Sequence, residues 1–317
     1  MEHVYNKGIY ATMITPFCQD GSIDYETARR YVRWYGDHGC DGIFAVCQSS
    51  EIFFLSEDER VLLNQVVWQE ARKYREETGK RLTIVSSGHT SVPMEDQIRE
   101  LTRVCEGGTD ALILITNRLD PENLGDDIWI ANAEKLLDAL PKEVALGLYE
   151  CPVPYKRLLT PRILKWCLST GRFRFIKDTC CDAAVIRERM KILRGTDLML
   201  FNANGQTLLS SLEAGASGYC GIMANFHPEL YALLYDCYVT DPALAQRVQS
   251  YLSVACATEG ALPYPLSAKY HMTLRGIPTE NIARSRNSSD LTDYFKMCTE
   301  QLKTASEFVL NTVLQSK

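Results

Sequence analysis

The sequence predicts a (β/α)8 barrel with a C-terminal helical extension, and three observations support this fold class. Eight short apolar, β-branched runs alternate with longer segments whose apolar residues recur every three or four positions. The eight units fill about the first 240 residues, close to the roughly 250 residues typical of such a barrel. Beyond them the β-type runs stop and the remaining segments have helical periodicity. We therefore divide the chain into a barrel over 1–240 and a helical extension over 241–317.

The predicted strands follow one another at regular intervals along the chain. Each is a short apolar run bounded by polar or glycine-containing segments, as expected for strands buried on both faces of a parallel sheet. They are GIYATMI, DGIFAVC, LTIVSSG, DALILIT, VALGLYE, FRFIKDT, LMLFNAN and SGYCGIM, beginning near residues 8, 41, 82, 110, 144, 173, 198 and 217.

The segments between the strands carry helix start signals. Ser56 and Glu59 have the spacing of a capping box. Pro161 follows Thr160, which places a proline in the first turn of a helix, where its missing N–H has no cost. These signals predict helices that begin near residues 57 and 161.

Composition narrows the classes of function. The formal net charge is -6 and there is no long Lys/Arg run, which argues against nucleic acid or an anionic membrane as the main partner. No apolar stretch is long enough for a membrane span. The 12 cysteines are scattered without a C-x-x-C pair, and the five histidines form no metal-binding motif. We expect a cytoplasmic protein with reduced thiols, no metal and a small-molecule ligand.

One charged residue interrupts the sixth apolar run. With the two-residue period of a strand, Lys177 shares a face with Phe173, Phe175 and Thr179. A lysine among aromatic rings must be paired, reach water, or be held in its uncharged form by desolvation. The residues alone leave an ion-paired or solvent-reaching lysine and a reactive amine as alternatives.

Tyr149 ends the fifth predicted strand, on the same face as Ala145 and Gly147. Small residues on this face leave room, which we expect Tyr149 to fill near the top of the barrel. Neighbouring strands lie about 4.8 Å apart, so Tyr149 and Lys177 are expected to meet. A free amine attacks a carbonyl to form a Schiff base, and a phenol transfers the protons. The alternative is a core tyrosine bonded to the backbone.

The loop after the second strand, CQSSE, has the character of an anion site. Ser49 and Ser50, with the backbone N–H groups of a turn, are suited to hold a carboxylate. An ordinary serine-rich loop is the alternative. His89, at the end of the third strand, is interpreted as a polar loop residue rather than a substrate contact.

Together these residues resemble the dihydrodipicolinate synthase/N-acetylneuraminate lyase family of Schiff-base-forming barrels. The resemblance spans about residues 8 to 230, in register at TPFCQDGSID, CQSSE, YECP, IKDTCCD and GASGYCGIMANFHPE. It implies an imine between Lys177 and pyruvate or another 2-oxo acid, with no cofactor, and Tyr149 as proton shuttle. It also implies a homotetramer built as a dimer of dimers.

The same resemblance implies the substrate-binding residues. Ser49 and Ser50 would hold the carboxylate of the keto acid. The region of Thr15 and the backbone near Cys220 would line the pocket. The family's hydroxyl relay residue aligns with Gln48, whose amide cannot relay a proton as a hydroxyl does. We expect Gln48 to bind substrate instead, by donating its amide to a hydroxyl or carbonyl of a longer, polyhydroxylated substrate.

Two further departures concern the second substrate. The tyrosine pair that the synthases carry after the fourth strand is replaced by TNRLDPENLG. The arginine that holds a second carboxylate in the synthases is replaced by Pro154, with Arg157 three residues later. The sequence therefore favours an aldolase or dehydratase acting on a 2-oxo acid or sugar acid. Dihydrodipicolinate synthesis proper, a 2-oxo-acid-binding protein with weakened turnover, and a metal-dependent hydrolase on the same barrel are the alternatives.

Overall fold

The computed structural model describes residues 5–315, which form a closed barrel of eight parallel strands in chain order. Each strand pairs with the next, and the last pairs with the first. The predicted fold class is confirmed. The strands are β1 Gly8–Thr12, β2 Gly42–Phe44, β3 Thr83–Ser86, β4 Ala111–Ile115, β5 Ala145–Tyr149, β6 Phe173–Asp178, β7 Met199–Asn202 and β8 Gly218–Gly221.

A helix follows each strand, and three more complete the described chain. The helix that begins at Glu57 has the predicted Ser56–Glu59 capping box, and Thr160 caps the helix that begins at Pro161. The helices are α1 Tyr25–Asp37, α2 Glu57–Thr78, α3 Met94–Glu106, α4 Asp126–Ala139, α5 Pro161–Thr170, α6 Ala183–Leu193, α7 Leu208–Glu213, α8 Pro228–Cys237, α9 Pro242–Ala261, α10 Leu266–Leu274 and α11 Asp293–Gln315.

The sixth strand departs from the predicted two-residue alternation. Phe173 pairs with Leu146, but Phe175 pairs with the very next residue of β5, Gly147, so the register shifts between the two pairs. Phe173 therefore packs with the outer core between barrel and helices, whereas Phe175 lies inside the barrel. The prediction that Phe173 shares a face with Lys177 is wrong, because a bulge cancels one step of the alternation.

The barrel interior is tightly filled by aromatic rings. The ring centroids of Phe175 and Phe201 are 4.6 Å apart, and Tyr10 lies 4.5 Å from Phe201. A Cβ on Gly147 would come within 2.4 Å of Ile113 and 3.0 Å of Phe175. The expected free room at this glycine is therefore occupied by neighbours, and space opens only above this layer.

The C-terminal helices pack on the barrel. α8 packs on α9, and α11 contacts both α8 and α10. Within 5–315, no helix is long and apolar enough to cross a membrane. The division of the chain at residue 240 stays a prediction. Residues 1–4 of the predicted barrel and 316–317 of the predicted extension lie outside the described part.

Candidate active site

A cavity of about 640 Å³ opens at the carboxyl ends of the strands, the face where barrel enzymes carry their reactive groups. Loops after β2, β5, β6, β7 and β8 contribute to it, and so do segments around α10. Its lining residues are Gln48, Ser49, Glu51, Phe53, Phe54, Tyr149, Pro152, Val153, Lys156, Lys177, Thr179, Cys181, Ala203, Asn204, Gly221, Ile222, Tyr264, Pro265 and Ser285.

Lys177 reaches the floor of this cavity from the end of β6. Its side chain is buried, and Nζ lies 4.2 Å from the ring centroid of Tyr149 and 5.5 Å from that of Phe44. Among residues 5–315, no carboxylate lies within 4.0 Å of its amine. The amine thus lies between two aromatic rings at the cavity and, within residues 5–315, has no carboxylate partner.

Tyr149 pairs directly with Lys177 across β5 and β6, as the sequence predicts. Its phenol donates a hydrogen bond to Oε1 of Gln48 at 3.1 Å. Burial raises the pKa of Tyr149 well above its usual value, and the neighbouring thiol of Cys151 adds to this effect. The phenol is therefore protonated near pH 7, and once deprotonated it is a strong base.

The CQSSE loop forms a single helical turn beside Lys177, and its two serines are placed differently. Ser49 lines the cavity, and its hydroxyl donates to Oγ1 of Thr12 at 3.1 Å. The hydroxyl of Ser50 accepts from the N–H of Cys47 and lies 2.7 Å from two backbone carbonyl oxygens. Thr15 donates to the carbonyl of Ser50 at 2.8 Å. Ser50 and Thr15 thus shape the turn and lie outside the lining.

Cys220 lies in the barrel interior beneath the cavity, with the thiols of Cys47 and Cys151 in the same cluster. Burial raises the pKa of Cys220 to about 12, so this thiol is neutral. The next two residues along the chain, Gly221 and Ile222, line the cavity. The backbone that follows Cys220, and not its side chain, therefore borders the site.

A buried ion cluster joins the ends of β5 and β6, the strands that carry Tyr149 and Lys177. Arg189 of α6 donates to Oε1 of Glu150 at 2.7 Å and also pairs with Asp178. Glu150 follows Tyr149 and Asp178 follows Lys177, so the cluster holds both strands one residue beyond the amine and the phenol. Desolvation raises the pKa of Glu150, while Arg189 opposes this shift. Sequence reasoning missed the cluster because its three members are distant along the chain.

The C-terminal segment contributes wall residues that the sequence analysis did not single out. Tyr264 and Pro265 line the cavity, and the phenol of Tyr264 accepts from Nδ2 of Asn225 at 3.2 Å. Ser285 reaches the rim because it and Arg284 bind the carboxylate of Glu51. No periodicity marks such loop residues.

Of three cations near the missing family arginine, Arg157 and Arg118 lie outside the cavity lining and Lys156 lies in it. Arg157 pairs with Asp120 at 3.1 Å and Asp126 at 2.7 Å. The guanidinium of Arg118 lies 5.3 Å from the ring centroid of Phe53, outside the lining. Lys156, which the sequence analysis overlooked, lines the cavity and donates to the carbonyl of Thr179 at 2.8 Å.

His89 has structural partners and does not reach the cavity. His89 is fully buried outside the cavity lining, where it accepts from the N–H of Ile115 at 2.9 Å and bonds Gln97 at 2.6 Å. Burial lowers its pKa to about 4. In the described range 5–315, no three His, Cys, Asp or Glu side chains are grouped to hold a metal ion.

The mouth of this parallel barrel thus holds a buried amine beside a phenol, in an open cavity. The chain belongs to the dihydrodipicolinate synthetase family, whose model matches residues 5–113 and 147–303. The chain is thus a lyase of this family, and the resemblance seen in its motifs is confirmed.

The chain is similar to proteins named as synthases and to uncharacterized DapA-like lyases. The chain is 26% identical over 271 residues to the 4-hydroxy-tetrahydrodipicolinate synthase of Haloarcula marismortui, covering 85% of this chain and 84% of that protein. It is 24% identical over 301 residues to an uncharacterized DapA-like lyase of Pyrococcus horikoshii, covering 93% and 99%.

Solved structures share the fold at lower identity. A catalytic lysine mutant of the Ruminococcus gnavus sialic acid aldolase superposes with a TM-score of 0.84 at 16% identity, over 98% of this chain and 99% of that one. The prophage protein YagE of E. coli K12, solved in complex with pyruvate, gives 0.81 at 20% identity, over 96% and 98%. These likenesses concern the fold alone.

Proposed function

We propose that this protein is a lyase that forms a Schiff base between Lys177 and pyruvate or a related 2-oxo acid. The observation that carries the proposal is the buried Lys177 amine, 4.2 Å from the Tyr149 ring, facing an open cavity without a carboxylate partner. An amine that no carboxylate engages and that faces a cavity can reach the carbonyl carbon of a bound 2-oxo acid.

The proposed reaction uses two side chains and no cofactor. The free amine of Lys177 attacks C2 of the 2-oxo acid, the phenol of Tyr149 protonates the departing hydroxyl, and water leaves as the C=N bond forms. The phenolate then takes the proton of the C4 hydroxyl while the C3–C4 bond breaks. The electron pair of that bond passes to C3 as an enamine, and an aldehyde leaves. Protonation of C3 and hydrolysis of the imine release pyruvate and restore Lys177.

The remaining predicted residues receive distinct roles in this proposal. The carboxylate of the 2-oxo acid binds at the CQSSE turn, where the N–H groups of Gln48 and Ser49 make no hydrogen bond within residues 5–315. Ser50 and Thr15 act by fixing this turn, and Cys220 acts by placing the backbone after β8. Gln48 orients the Tyr149 phenol, whose proton must return through substrate because an amide does not relay it.

We propose cleavage or dehydration of a 2-oxo or sugar acid over dihydrodipicolinate synthesis, which is the second candidate because curated relatives carry that name. Condensation with aspartate semialdehyde needs a cation for a second carboxylate. Arg157 is paired with two aspartates, and the resemblance puts the family arginine near Pro154. Lys156 is the cation in this part of the lining, and it already donates to the carbonyl of Thr179. An unpaired carboxylate in a partly dry site costs several kcal/mol.

A kinetic comparison tests this proposal. We expect the protein to release pyruvate from 4-hydroxy-2-oxo acids or 2-oxo-3-deoxy sugar acids with kcat/KM at least tenfold above its value with aspartate semialdehyde. A wide margin in favour of the semialdehyde would establish the second candidate. Absence of turnover with every substrate would instead favour a 2-oxo-acid-binding protein with weakened catalysis.

We further propose a homotetramer, a dimer of dimers, in the cytoplasm. Family membership supports this assembly, and the described cysteines, all of them free thiols, fit a reducing compartment. Sedimentation velocity at several concentrations tests the assembly, and a single monomeric species would contradict it.

A further inference from the structure

The walls of the active-site cavity differ in chemistry. Loops after β2, β5 and β8, with the segment before α10, supply an apolar wall. Phe54 is 51% exposed and Val153 is 41% exposed, so large apolar surfaces face the opening. The apolar wall comprises Phe53, Phe54, Pro152, Val153, Ile222 and Pro265.

The polar side chains that line the cavity are mostly engaged with the protein itself. Nζ of Lys156 donates to the Thr179 carbonyl, and the hydroxyl of Thr179 donates to the Glu150 carbonyl. Oδ1 of Asn204 accepts from the N–H and hydroxyl of Thr207, and its Nδ2 donates to Gln206. A polyhydroxylated chain would lose its hydrogen bonds to water here and find few replacements.

Phe53 is held in place for contact with a ligand. The guanidinium of Arg118 lies 5.3 Å from its ring centroid, and the ring also packs against the barrel core clusters. An aromatic side chain fixed before binding loses little conformational freedom when a ligand arrives. Phe53 is therefore the fixed part of the apolar wall.

We propose that the group beyond C4 of the substrate is apolar or aromatic, which rests on the proposed function and narrows its substrate class. The substrate is then a 4-hydroxy-2-oxo acid with an aryl or alkyl substituent on C4. Its C3–C4 bond breaks, the C4 hydroxyl proton goes to Tyr149, and the products are pyruvate and an apolar aldehyde. This class differs from the polyhydroxylated sugar acids that Gln48 suggests from the sequence.

The test compares two cleavages that both release pyruvate. We expect kcat/KM for 4-hydroxy-2-oxo-4-phenylbutanoate to exceed that for a six-carbon 2-oxo-3-deoxy sugar acid at least tenfold. Phe53→Ala is expected to reduce that preference about tenfold. Val239→Ala, at a 70% exposed position outside the cavity lining, is the matched control and leaves the preference unchanged. Equal or better cleavage of the sugar acid would overturn the inference.

A second measurement needs no turnover. The concentration of 2-oxo acid that half-saturates borohydride trapping is compared for 2-oxo-4-phenylbutanoate and a polyhydroxylated 2-oxo acid. We expect at least tenfold tighter trapping of the phenyl compound, and equal or tighter trapping of the polyhydroxylated acid refutes the preference. Failure to trap pyruvate itself refutes the proposed function, and the inference with it. Trapping of pyruvate without phenyl preference refutes the inference alone.

Discussion

Among residues 5–315, two lysines are buried, Lys177 and Lys269, and each has an aromatic neighbour but different polar partners. Nζ of Lys177 lies 4.2 Å from the ring centroid of Tyr149, and Nζ of Lys269 lies 4.5 Å from that of Phe17. Lys269 also donates to the carboxylate of Glu51 at 2.8 Å and to the carbonyl of Ile282 at 2.6 Å. Lys177 has no such acceptor within residues 5–315, and it faces a cavity.

The comparison distinguishes Lys269, whose bonds connect parts of the fold, from Lys177, whose amine faces the cavity. Desolvation lowers the pKa of Lys269 to about 8, and Glu51 opposes this shift. The Lys269 side chain connects Glu51 to the C-terminal segment at Ile282. Nζ of Lys177 lies near the rings of Tyr149 and Phe44, and the ion cluster holds the residue that follows it, Asp178. Burial alone therefore does not distinguish the two lysines; the missing acceptor and the access to a cavity are what suit Lys177 to the imine that we propose.

The largest effect is expected from Lys177→Arg. A guanidinium remains protonated at any working pH and cannot attack a carbonyl, so turnover should fall by about 10⁴-fold or more. The free energy of unfolding should change little. Steady-state pyruvate release and urea unfolding check the two parts, and retained turnover would refute the role of this amine.

Tyr149→Phe is expected to reduce turnover by about 10²- to 10⁴-fold, the range for a general acid or base. The phenylalanine keeps the ring beneath Lys177 but removes the proton donor to Gln48. Binding of the 2-oxo acid should change less than turnover. If chemistry limits the rate and turnover stays near normal, Tyr149 is only a packing residue.

Lys269→Met should have the opposite profile. Removing one partner of a buried pair leaves Glu51 uncompensated, which typically costs about 3–5 kcal/mol of the free energy of unfolding. Imine formation at Lys177 should persist in the variant that remains folded. Lys191→Met is the matched control, because the Lys191–Glu188 pair is 67% exposed on each side and should contribute less than about 1 kcal/mol. Equal loss in both variants would contradict the comparison.

The free energy of unfolding is expected to fall in acid because two buried histidines are neutral in the folded protein. Burial lowers the pKa of His89 to about 4 and that of His227 to about 3, from an ordinary value near 6.5. The unfolded chain then binds more protons below pH 6.5, so stability present above that pH is lost as the pH falls toward 4. His89 alone accounts for about 3 kcal/mol of this loss. Unfolding free energies that are flat between pH 7 and 4 would disprove it.

The sequence predicted the fold well because each strand is a distinct apolar run and each barrel unit repeats the pattern. It also placed Tyr149 beside Lys177, since both stand at strand ends. The bulge that turns Phe173 outward leaves no mark in a two-residue alternation.

The walls of the site were harder to predict. Tyr264 and Ser285 arrive from segments more than 80 residues beyond Lys177, and long-range contacts of this kind have no local pattern. The pairing of Lys269 with Glu51 spans 218 residues. A single sequence therefore does not reveal that Lys269 has a carboxylate partner and that, within residues 5–315, Lys177 has none.

Borohydride trapping with pyruvate, followed by peptide mapping by mass spectrometry, tests the central claim most directly. The account predicts a reduced pyruvate adduct on the peptide that contains Lys177 and none on the peptide that contains Lys269. An adduct on Lys269 or another lysine, or no adduct with pyruvate at any concentration, would contradict it.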